Sequence, residues 1–79
     1  MIIQKPIVIQ IDPNGDETIH EDRGICELIP GRQQTAGYGR IRGAPFRCVL
    51  PWTMEGEYNE RASLITGRVI RGTAFFVPR

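Results

Sequence analysis

The 79-residue chain holds only one lysine, one histidine, one tryptophan and two cysteines. Each scarcity excludes something. Two cysteines and one histidine cannot fill the four ligand positions of a structural zinc site. Two thiols are also too few for a disulfide scaffold, so Cys26 and Cys48 read as two small buried hydrophobes in a reducing cytosol, with one Cys26–Cys48 bridge as the alternative. No apolar run approaches the roughly 20 residues of a membrane-spanning helix, and the opening MIIQKPIVIQID is too interrupted for a span or a signal peptide. A cytoplasmic protein with no membrane partner is the expectation.

Acid is missing where it matters most. Between Glu27 and Glu55 there is no carboxylate side chain, only Arg32, Arg40, Arg42 and Arg47 among glycines. Residues 1–31 carry six acids against two bases, and residues 32–79 carry eight arginines against three glutamates. The formal net charge of +1 therefore hides two oppositely charged halves. Such a chain suits a charged partner or a second copy of itself. Arginine rather than lysine supplies the positive charge, and its planar fork favours paired contacts to carboxylate or phosphate and stacking on rings.

What the chain has in plenty is β-branched hydrophobe, enough for one thin core in a single domain spanning 1–79. Ile7, Ile9 and Ile11 alternate with Val8 and Gln10 at the period of a strand. Asp12-Pro13-Asn14-Gly15-Asp16 is a strong turn, so 2–21 reads as a hairpin with its turn at 12–16. Ile25–Ile29 reads as another strand, stopped by Pro30-Gly31, and the glycine- and arginine-bearing stretch 30–40 as a mobile loop. Arg40–Arg42 and Phe46–Leu50 read as strand pieces separated by a bulge or corner at Gly43-Ala44-Pro45. Met54, Tyr58, Ala62 and Ile65 fall on one helical stripe, which predicts a short helix near 54–65 with Thr53 as its cap, a Glu57–Arg61 pair and Gly67 as its stop. Residues 69–77 close the chain as a strand kinked at Gly72. The prediction is a mainly β protein, a small antiparallel barrel or curled sheet of five to six short strands with one helix.

Motifs for chemistry fail on inspection. Asp12, Asn14 and Asp16 mimic the start of a calcium loop, but Glu17 stands where glycine is required and Arg23 where the closing glutamate belongs. Gly67–Thr73 has phosphate-loop glycine spacing without the lysine. His20 with Cys26 or Cys48 lacks an orienting third group. The expectation is a non-enzyme without metal or cofactor. The residues that stand out are Arg32, Tyr38, Arg40, Arg42, Arg47 and Trp52, types that dominate interface hot spots. They predict a protein–protein binding surface for an acidic partner or for self-association, or alternatively a surface for single-stranded DNA or RNA. The isoleucine-rich first strand offers a second possibility: at a sheet edge, it would pair with another chain.

Overall fold

The computed structural model describes residues 7–79, so the predicted contributions of Ile2 and Ile3 to the first hairpin lie outside the described residues. Five strands form one antiparallel sheet: β1 (Val8–Ile11), β2 (Glu17–His20), β3 (Gln33–Ile41), β4 (Ala44–Pro51) and β5 (Ala74–Pro78). Their spatial order is β2-β1-β5-β4-β3. Two helices are inserted, α1 (Ile25–Leu28) and α2 (Glu60–Thr66). The sheet is open and curled rather than a closed barrel.

Strand alternation gives the sheet an apolar side on each face. Ile9 and Ile11 of β1, Phe46, Cys48 and Leu50 of β4, and Ala74 and Phe76 of β5 join Ile41, Ala62 and Ile70 in the main core on the α2 side. Val8, Val49 and Phe75 point the other way and meet Ile29, with Ile25 and Leu28 of α1 packed against them. Because β1 lies between β2 and β5, its hydrophobes are enclosed, and the first strand is internal rather than the edge at which it would pair with another chain.

The first turn forms as its residues dictate. The Gly15 N–H donates to the Asp12 carbonyl at 2.8 Å, and the Asp16 N–H donates to the Asn14 Oδ1 at 3.0 Å. Several other segments differ from the sequence expectation. Ile25–Leu28 is a helical turn, not a strand, because Ile25, Leu28 and Ile29 share the three-and-four spacing of a helix face while Cys26 and Glu27 face solvent. The stretch 30–40 is not a mobile loop. From Gln33 it is strand β3, hydrogen-bonded to β4 across a two-residue turn at Arg42-Gly43; of the bulge or corner expected at Gly43-Ala44-Pro45, Gly43 makes the corner, while Ala44 and Pro45 are already the first residues of β4. Arg42 (φ 52°) and Gly43 (φ 80°) both take the left-handed conformation that such a turn needs. The bulge falls instead between Thr35 and Gly37.

The helix near 54–65 is shorter and later than predicted. Asn59, not Thr53, caps α2, its Oδ1 accepting from the Ala62 N–H at 3.1 Å. Gly67 ends it as expected, left-handed at φ 70°. Residues 53–58 cannot extend the helix backwards because Gly56 turns at φ 116° beside Gly72. Asn59 is fully buried, and its Nδ2 donates to the carbonyls of Ile11 (2.8 Å) and Gly72 (2.9 Å). One side chain thus ties α2 to β1 and to the segment before β5. The last strand starts at Ala74 rather than 69, since Val69 is exposed and Arg71 makes only an isolated bridge with Tyr58.

Candidate binding face

Registers across β5, β4 and β3 place side chains in rows on the sheet face opposite α2. In the first row, Phe75–Val49–Thr35, Phe75 and Val49 are buried in the small core beneath α1, while Thr35 at the edge is exposed. The second is Val77–Arg47–Tyr38. In the third, Arg40 lies opposite Pro45, and Arg79 continues the row, its N–H donating to the Pro45 carbonyl at 3.2 Å. The face therefore changes from covered and apolar to open and cationic within about 14 Å along the strands.

On this open end Tyr38 is half exposed. The Arg79 guanidinium lies over its ring, 4.4 Å from the centroid, a cation–π arrangement that holds both groups in place. Arg47 donates to the Thr35 hydroxyl at 3.2 Å, and Arg40 to the Gly43 carbonyl at 2.9 Å. None of these three arginines is paired to a carboxylate among the described residues. The segments forming this part of the sheet, residues 33–51 and 74–79, contain no acidic side chain at all.

The six residues singled out from sequence thus divide into three groups. Tyr38, Arg40 and Arg47 come together. Arg32 and Trp52 stack on each other at the far end of the β3–β4 hairpin, 4.1 Å from guanidinium carbon to ring centroid. That is about 25 Å along the strand from Arg40. Arg42 belongs to the scaffold: it donates to Glu17, which also accepts from Arg61 at 3.1 Å. These two bonds replace the predicted Glu57–Arg61 pair and join the acidic half of the chain to the basic half. Arg79 was missed, although two-residue alternation from Phe75 through Val77 puts it on the same face.

The remaining candidates for chemistry lie apart. Cys48 is buried in the main core as expected, where desolvation pushes its thiol up to about 12, whereas Cys26, expected to be buried too, is exposed because it lies on the solvent side of α1. Both are free thiols, so the disulfide alternative is not realised. His20 Nε2 lies 2.8 Å from Gln10 Oε1, and Gln10 Nε2 donates to Asp12 Oδ1 at 2.9 Å, which also accepts from Thr73. His20 is engaged in this polar chain across β1 and β2 rather than with either thiol. Among the described residues no helix is long and apolar enough to cross a membrane.

The chain matches no protein-family model, no curated protein and no solved structure.

Proposed function

We propose that the protein is a non-enzymatic binding module of the cytoplasm that docks an acidic partner protein on the face formed by Tyr38, Arg40, Arg47 and Arg79. One observation carries this reading: three arginines without a carboxylate partner surround a half-exposed tyrosine on rigid, hydrogen-bonded strands in an acid-free part of the sheet. Arginine and tyrosine offer large contact area, forked hydrogen bonding and a ring at low entropic cost. Arg32, Trp52 and Arg42 stand outside this face.

The test is charge reversal. Arg40→Glu with Arg47→Glu abolishes binding of a fluorescein-labelled decaglutamate peptide, while the melting temperature falls by no more than a few degrees. Unchanged binding by the double variant would refute the assignment. Arg42→Glu is unsuitable for this purpose, because it sets a second carboxylate against Glu17.

A second reading is favoured by the Tyr38 ring itself. An aromatic ring set in a sheet face between arginines suits stacking on a base of single-stranded DNA or RNA. Its signature is affinity that falls steeply with salt, with a log–log slope of about two for three phosphate contacts to a single strand and a further loss on Tyr38→Ala. Anisotropy titrations of single-stranded DNA and decaglutamate at about 50 to 300 mM salt separate the two readings.

A further inference from the structure

The arginine face borders an unpaired sheet edge. β3 is the last strand in the order β2-β1-β5-β4-β3, and its nine residues make it twice as long as the opposite edge strand β2. Edge strands are normally guarded by charged side chains, lysine above all, or by proline, bulges or shortness. β3 has neither lysine nor proline and is interrupted only by the bulge between Thr35 and Gly37.

The direction in which its backbone groups point follows from the two prolines of β4. Pro45 lies opposite Arg40, has no N–H, and turns its carbonyl towards β5 to accept from Arg79. Arg40 and Pro45 are therefore a non-hydrogen-bonded pair, and the Arg40 N–H and C=O point away from β4. Two residues back, Tyr38 does the same. At the far end the Trp52 N–H donates to the Arg32 carbonyl at 2.8 Å, which makes the next pair, Gln33 and Pro51, non-bonded as well. The β3 residues with side chains on the arginine face thus also present free backbone donors and acceptors at the edge.

We infer that the partner contributes an extended acidic segment that adds to β3 as a sixth strand, its backbone pairing with Tyr38 and Arg40 and its alternate carboxylates meeting Arg40, Arg47 and Arg79. This inference rests on the acidic-partner reading and names the form the partner takes. Charge complementarity selects this occupant over a second copy of the chain. Two β3 strands side by side would bring two acid-free arginine faces together, whereas a strand with carboxylates at every second position places them about 5 Å from Arg40.

The probe is a nine-residue peptide alternating Glu and Thr, with two analogues carrying N-methyl groups on either the odd or the even backbone amides. Alternate amides of a strand point to opposite edges. One analogue therefore binds about tenfold or more weaker than the parent, and the other is unaffected. In hydrogen exchange, the Tyr38 and Arg40 amides exchange freely in the protein alone and slow by about tenfold or more when the peptide is bound. Equal binding by both analogues, with these amides still exchanging freely, would overturn strand addition. In that case sensitivity to Arg40→Glu with Arg47→Glu would leave the arginine face standing, and insensitivity would remove both. Protection of Tyr38 and Arg40 that rises with protein concentration in the absence of peptide would identify a second copy as the occupant and overturn the acidic segment.

Discussion

Arg42, at the tip of the β3–β4 hairpin, donates to Glu17, at the start of β2, so residues from the two opposite edges of an open sheet meet through one ion pair. Arg61 of α2 binds the other Glu17 oxygen. The glutamate side chain is only 14% exposed, so three elements converge on a shielded carboxylate.

The Glu17 ion pairs predict a pH dependence. The hydrogen bond from Arg42, aided by the charges of Arg42 and Arg61, holds the Glu17 carboxyl below its ordinary value of 4.5 despite the opposing effect of burial. A carboxyl depressed in the folded state stabilises the protein above its unfolded pKa. That contribution fades as pH falls below about 4.5 and is gone once the pH is below the folded value. Glu17→Gln should cost about 1 kcal/mol at pH 7, a drop of roughly 4–8 °C in Tm. The gap between wild type and variant should narrow progressively as the pH falls below about 4.5, and also in about 1 M salt. Thermal melts of both proteins across pH check this.

Asn59 should be the most sensitive polar position. Asn59→Ala removes a helix cap and leaves the Ile11 and Gly72 carbonyls without their side-chain donor. The cap is worth about 1 kcal/mol and stranded buried acceptors about 1–3 kcal/mol. A combined loss of about 3 kcal/mol should be read in urea unfolding, a large share of the stability of a domain this small.

Two glycines of the β3–β4 hairpin should fail for different reasons. A methyl group on Gly39 would sit 2.2 Å from the Ile65 carbonyl oxygen, where β3 and α2 approach backbone to backbone. Gly43 has open space around it but a φ of 80°. Gly43→Ala should cost about 1 kcal/mol through strain alone. Gly39→Ala should cost more, about 2–3 kcal/mol, because strand and helix must move apart. Paired denaturation curves compare them.

The thiols should react in sequence. Exposed Cys26 should be alkylated by iodoacetamide in the native protein, whereas Cys48 should react only on unfolding. Mass spectrometry should show one adduct natively and two in guanidinium, and reducing agent should leave Tm unchanged.

Much of this arrangement is legible in the sequence where local chemistry decides it. The 12–16 turn, the alternation of β1 and the Gly67 stop all follow from residue types at fixed spacing. The failures have physical causes. Gln33–Ile41 lacks hydrophobic alternation because Gly37 and Gly39 stand where bulky side chains would collide with α2, so pairing with β4, a long-range contact, makes it a strand. Asn59 shows as a cap only once Gly56 is known to turn away. The acid-free stretch pointed to Tyr38, Arg40 and Arg47, but nothing local could reveal that Arg42 is spent on Glu17, or that Arg32 and Trp52 occupy each other.

The central claim is that the Tyr38–Arg40–Arg47–Arg79 face is where the partner docks. Its most direct test is a titration of the ¹⁵N-labelled protein with decaglutamate, followed by ¹H–¹⁵N correlation spectra. The account predicts shifts concentrated on the amides of Tyr38, Arg40, Arg47 and Arg79, with Arg32 and Trp52 unmoved, and their disappearance in Arg40→Glu with Arg47→Glu. Shifts centred on Arg32 and Trp52, or a spectrum indifferent to the peptide, would contradict it.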